Sequence, residues 1–118
     1  MSPTATFDCD VEKSNQKDEH GNELTFVRCH GRLVSENTGI IKEIVHPLLG
    51  HHGRIIVDLG DVSHLDSSGL GTLVGLKASA VRQGLCILEF TNMTPRILEL
   101  LRITNLLQLF SPQPPQKA

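Results

Sequence analysis

The chain has 118 residues, of which 39% are hydrophobic; that suits one compact domain with a single core and leaves no room for a large buried catalytic chamber. Tryptophan and tyrosine are absent and phenylalanine occurs only at positions 7, 26, 90 and 110, so the core must be mostly Leu, Ile and Val, which weighs against a stacking platform for single-stranded nucleic acid. The net charge is −2, with acidic and basic residues interspersed; no clustered basic stripe is visible, and nucleic-acid binding is not expected.

In chain order, residues 1–5 and 112–118 read as tails, the second because PQPPQKA is too proline-rich to pack regularly. One domain is left over residues 6–111. A first strand is expected over Thr6–Glu12, where Phe7, Cys9 and Val11 alternate with polar residues. Ser14–Glu23 is polar and contains His20-Gly21-Asn22, the mark of a loop or hairpin turn. Leu24–His30 reads as a second strand, followed by Gly31-Arg32-Leu33. Ser35-Glu36-Asn37-Thr38 offers caps for a helix over Gly39–Val45, and Ile40, Ile41, Ile44, Val45 and then Leu48 fall at helical spacing. Pro47 lacks an amide proton and crowds the preceding turn, so this helix should kink or end there.

Gly50 and Gly53 bracket a loop before Arg54–Leu59, whose continuous apolar run predicts a strand buried on both faces in the middle of a sheet. A second helix is expected from about Ser67 to Gln83, with Leu70, Leu73, Val74, Lys77, Ala80 and Val81 along one side and Gly84 as its stop. Leu85–Phe90 is another strand. Thr94 caps a third helix over Pro95–Leu101, with proline at its favoured first position. Leu106–Phe110 closes the domain as a short helix or strand. The order predicts an α/β fold: a small mixed β-sheet of about four to five strands packed against helices.

Cys9, Cys29 and Cys86 are odd in number and lack CxxC spacing, so neither a zinc motif nor a complete disulfide framework is expected and the thiols are read as reduced. No stretch approaches the ~20 apolar residues of a membrane helix. MSPTATFDCD lacks the basic start and apolar core of a secretory leader. The expectation is a cytoplasmic protein without membrane insertion.

The informative stretch runs from Val57-Asp58-Leu59 to Asp66-Ser67-Ser68-Gly69-Leu70-Gly71. A buried strand leads through a short loop to Asp66 and Ser67, which stand where a helix begins and can accept hydrogen bonds from its first free amides. Gly69 and Gly71 would leave the opening turn unshielded, so that a partner's backbone can approach. The plainer reading stands beside it: a simple cap, with glycines that permit tight packing.

Asp66-Ser67-Ser68-Gly69-Leu70-Gly71, arriving after Ile56–Leu59 and Val62, resembles the signature of the STAS-domain family of anti-sigma factor antagonists. The likeness extends in outline from about Phe7 to Phe110. Gly31-Arg32-Leu33 lies where that family often has a Gly-x-Leu-type turn, and Asn92–Leu101 and Leu106-Leu107 are similar to its closing elements. Ser14–Glu23 departs from the shortest members in being longer and more polar.

The resemblance implies a partner switch and no enzyme. In such proteins the unphosphorylated antagonist binds an anti-sigma factor serine kinase and frees a sigma factor. Phosphorylation of the serine after the aspartate releases the kinase, and a serine phosphatase resets the cycle. The matching phosphorylation site is Ser67, and the partner-binding set is Asp66, Ser67, Ser68, Gly69, Leu70 and Gly71. A STAS-like accessory subunit of a transporter complex or stress-sensing assembly is the alternative.

Other chemistries fit less well. His64 and Asp66 are too near Ser67 in sequence to align readily as base and orienter, and no Gly-x-Ser-x-Gly elbow is present. Gly69, Gly71 and Gly75 resemble a dinucleotide fingerprint superficially, but the third glycine is one residue late and no complete phosphate-binding loop follows. Close helix packing is the simpler expectation for Gly75. His20, His30, His46, His51, His52 and His64 show no complete metal-ligand spacing, so neither a metal nor another cofactor is expected.

Overall fold

The computed structural model describes residues 7–110. Its strands are β1 (Phe7–Lys17), β2 (Glu23–Leu33), β3 (Gly53–Leu65) and β4 (Cys86–Thr91). Its α-helices are α1 (Thr38–Val45), α2 (Ser67–Gln83), α3 (Pro95–Ile103) and the single turn α4 (Leu107–Phe110). The strands form one mixed sheet in the order β1-β2-β3-β4. β1 and β2 are antiparallel, joined by a tight turn; β2–β3 and β3–β4 are parallel and need the helical crossovers that α1 and α2 supply. The tails expected at 1–5 and 112–118 lie outside the described residues.

Helix limits follow local chemistry closely. Asp66 caps α2 at one end, and Gly84, at φ 69°, ends it in the left-handed conformation that glycine adopts without a Cβ penalty. Thr94 Oγ1 accepts from the Ile97 amide, and Pro95 starts α3. Pro47 does end the first helix: α1 stops at Val45, and Pro47 lies in the 3-10 turn His46–Gly50 that follows.

The helices cover one face of the sheet. Val27, Cys29 and Leu33 of β2, Ile55, Val57 and Leu59 of β3, and Leu88 and Phe90 of β4 are buried there with Ile41, Leu73, Leu76, Ile97 and Leu101 of the helices. Phe110 of α4 meets Phe90 with ring centroids 4.9 Å apart. Each large aliphatic buried in this layer stabilises the fold by ~1.5–3 kcal/mol relative to exposure.

β3 is not buried on both faces, contrary to the expectation from its apolar run. Ile55, Val57 and Leu59 are buried, but Arg54, Ile56 and Asp58 between them remain partly exposed. The outer face carries a lattice of charges instead: Arg28 pairs with Glu12 at 2.8 Å, and Arg54 reaches both Asp18 and Glu89. His30 lies between Asp61 and Asp10, at 2.7 and 2.9 Å.

Two strand limits also differ from expectation. Ser14–Lys17 belongs to β1, not to a loop, and the turn is only residues 18–22. Asp18 closes that turn by accepting from the His20 and Asn22 amides. β3 continues beyond Leu59 through the segment expected to be a loop, Gly60–Leu65. Register shifts against β2, between Arg28 and His30 and between Gly31 and Arg32, absorb the extra residues of β3 as bulges.

Candidate functional site

The extended β3 delivers the chain to Asp66, where three segments meet. Asp66 accepts from the Gly69 amide through Oδ1 at 2.8 Å and from the Ser35 amide through Oδ2 at 3.0 Å. Its own amide donates to the Leu33 carbonyl at 3.4 Å. One carboxylate thus caps α2 and ties its start to the β2–α1 connection. The amide of Gly69 above all, then those of Ser35 and Ser68, hold the Asp66 carboxyl below the usual carboxylate range against the opposing effect of burial. So engaged, it is poorly suited to take a proton from Ser67.

Ser67 is the first residue of α2 and is exposed, as is Ser68. Ser67 makes no side-chain hydrogen bond among the described residues, whereas the Ser68 carbonyl accepts from Thr72 Oγ1 at 2.9 Å. His64 turns to Ser63, Nδ1 to Oγ 3.1 Å, and not to Ser67. Leu70 is half-buried against the core.

The glycines divide by role. Gly69, expected to lie open, is buried: a Cβ there would stand 2.2 Å from the Leu33 carbonyl oxygen and 2.9 Å from a Leu65 methyl. Its bare backbone lets α2 seat on the end of β2. Gly71 is exposed, and a Cβ on it would meet nothing within 4 Å. The same holds for Gly75, so close helix packing is not its explanation.

Gly71 and Gly75 instead line a surface groove of about 510 Å³ between α1 and α2, together with Ser68 and Thr72 of α2, Lys42 of α1 and His46 just after it. On the other side of Asp66, Arg32, His64 and Arg96 border a second concavity of about 370 Å³. Sequence reading gave none of these α1 and arginine residues a role. Thr38, Lys42 and His46 do recur at four-residue spacing, which marks one helix face; nothing in the sequence says that this face borders Ser68. Among the described residues no cluster of His, Cys, Asp or Glu could hold a metal ion, and no helix is long and apolar enough to cross a membrane.

The arrangement offers an exposed hydroxyl on a helix N-terminus whose amides and dipole tolerate an added anion. It stands between the groove and a concavity of mixed charge, in which Arg32 and Arg96 face the carboxylates of Glu36 and Asp66.

The sequence and the fold are both similar to those of known proteins. The sequence model described as the STAS domain matches residues 15–116. An anti-sigma-B factor antagonist from Bacillus subtilis (strain 168) is 31% identical over 80 residues, covering 68% of this chain and 72% of the relative. Two solved structures share the fold at 16% identity. An anti-sigma factor antagonist from Mycobacterium paratuberculosis has a TM-score of 0.70, with 93% of this chain and 87% of that one covered. The anti-sigma factor antagonist SpoIIAA in its unphosphorylated form has a TM-score of 0.63, with 86% and 84% covered.

Proposed function

We propose, since this chain belongs to the STAS-domain family, that it is a cytoplasmic anti-sigma factor antagonist switched by phosphorylation of Ser67. Unphosphorylated, it binds an anti-sigma factor serine kinase through the start of α2, with Asp66, Ser67, Ser68, Gly69, Leu70 and Gly71 forming or supporting the contact. The kinase phosphorylates Ser67 and is released; a serine phosphatase restores the binding form. The observation that carries this reading is the position of Ser67: an exposed hydroxyl at the first residue of α2, directly after a cap whose carboxylate is already engaged.

The physical argument for release is electrostatic. A phosphate adds about −1.5 to −2 charge beside Asp66. An interface closed over Ser67 would have to bury that dianion, and an unpaired buried charge is severely penalised. A tenfold loss of affinity needs only ~1.4 kcal/mol. The fold survives because the phosphate stands at the end of a helix, where negative charge is favoured.

The test is incubation of the chain with ATP and the anti-sigma serine kinase encoded by the same genome. Peptide mass spectrometry should place the phosphate on Ser67, and Ser67→Ala should abolish it. Modification confined to Ser63, Ser68 or Thr72 would reject the assignment.

A further inference from the structure

Cys9 and Cys29 are directly opposed in the β1–β2 register although they stand twenty positions apart in the chain. Their sulfurs lie 3.5 Å apart in a thiol–thiol hydrogen bond. Both side chains point to the helix-covered face; Cys29 is 1% exposed, and Cys9, on the edge strand, is half-buried. Directly opposed residues of an antiparallel pair have Cα atoms ~4.5–5.5 Å apart, within the ~4.4–6.8 Å range that a disulfide spans. Closing the sulfurs to ~2.05 Å therefore asks for side-chain rotation and no rearrangement of the strands. We propose that Cys9 and Cys29 are a site of reversible oxidation, in which a small-molecule disulfide of the glutathione type converts the two thiols into a bond across β1 and β2.

The two cysteines have different parts. Cys9 is the more accessible sulfur, and its thiol is pulled below its ordinary value because the Cys29 thiol can donate to the Cys9 thiolate. Cys29 is pushed up by that same hydrogen bond and by burial, so it keeps its proton. The Cys9 thiolate attacks one sulfur of oxidised glutathione: a Cys9–glutathione disulfide forms, the glutathione S–S bond breaks, and one glutathione thiolate leaves. The Cys29 thiol then loses its proton and attacks the Cys9 sulfur, expelling the second glutathione thiolate. Two protein thiols are oxidised by two electrons, and one glutathione disulfide becomes two thiols, which take up the two protons. Cys86 lies on β4, at the far edge of the sheet, and takes no part.

The bond would join the edge strand to β2, the strand whose last carbonyl, Leu33, receives the Asp66 amide. In a reducing cytoplasm such a bond is transient and follows the redox poise.

The experiment equilibrates the full chain in glutathione buffers of graded oxidised-to-reduced ratio, quenches with an alkylating reagent, and reads intact mass and peptide maps. Wild type and Cys86→Ser should each lose two alkylatable thiols with no glutathione retained, and the map should join the Cys9 and Cys29 peptides. Cys9→Ser should form no internal bond. Cys29→Ala, which keeps a small apolar residue in the core, should accumulate the unresolved Cys9–glutathione adduct. An unresolved adduct on wild-type Cys9 at every ratio, a bond that uses Cys86, or three thiols still open to alkylation would overturn the proposal.

Discussion

A Cβ built on Gly69 comes within 2.2 Å of the Leu33 carbonyl oxygen, whereas one built on Gly71 meets nothing within 4 Å. The two positions therefore separate packing from binding. Gly69→Ala forces backbone apart where β2 meets α2, and should destabilise by ~1–3 kcal/mol, the range of overpacking in a close-packed site. Gly71→Ala relieves the helix cost of glycine and should stabilise by up to ~1 kcal/mol. If a partner's backbone lies over the first turn, Gly71→Ala should nonetheless weaken binding of the anti-sigma kinase. Urea unfolding gives the first pair of outcomes and titration against the kinase gives the last. A Gly69→Ala variant as stable as wild type would contradict the packing account. The cap at Asp66 was legible in the sequence because capping is local chemistry, three or four residues deep; Ser67, which the sequence offers equally as an acceptor, starts the helix without a side-chain hydrogen bond among the described residues. The burial of Gly69 was not legible, since its neighbour Leu33 arrives from another strand.

Among the elements, α2 was readable to both its ends because Asp66 and Gly84 are strong punctuation. β3 was not, because Gly60-Asp61 reads as a turn; in the structure the Gly60 amide donates to Asp58 Oδ1, and bulges carry the strand on to Leu65. Ser14–Lys17 carries no strand signal in the sequence because an exposed edge strand needs no apolar alternation. The bulged stretch also sets Asp61 opposite His30, whose ring joins β1, β2 and β3 through Asp10 and Asp61. Those hydrogen bonds, first to Asp61 and then to Asp10, raise the His30 pKa above its ordinary value. A raised folded-state pKa means that the bridge contributes fully below the unfolded value of ~6.5 and is lost as pH rises through the higher folded value. Thermal midpoints taken across that alkaline-going window should fall in wild type relative to His30→Gln. Parallel curves for the two proteins would show that the bridge contributes nothing.

At the scale of the whole molecule, the fold class was legible from the alternation of strand and helix periods, and a mixed sheet under helices is what forms. Its one-sidedness was not: Ile55-Ile56-Val57 reads as buried throughout, yet Ile56 points to the charged outer face beside Phe26 of β2 and Glu89 of β4. The flanks of the candidate site were hidden for a similar reason, since Lys42 on one side of Asp66 and Arg32 and Arg96 on the other reach it from α1, β2 and α3, elements distant in sequence. A charge added at Ser67 touches the rim of this assembly and none of its core. Phosphorylation should therefore leave amide chemical shifts in β2, β3 and α3 nearly unchanged away from the site, with a similar thermal midpoint. Widespread shifts through those elements would point to a conformational switch instead.

The central claim, that one phosphate on Ser67 dismisses the partner by charge at the interface, is tested most directly by calorimetric titration of the anti-sigma serine kinase with four forms of the chain. Unphosphorylated wild type and Ser67→Ala should bind comparably. The phosphorylated form should bind about tenfold more weakly or worse, the equivalent of ~1.4 kcal/mol or more. Ser67→Asp should fall between, because a carboxylate carries less charge and fewer acceptor oxygens than a phosphate. Equal affinity of the phosphorylated and unphosphorylated forms for the kinase would contradict the account.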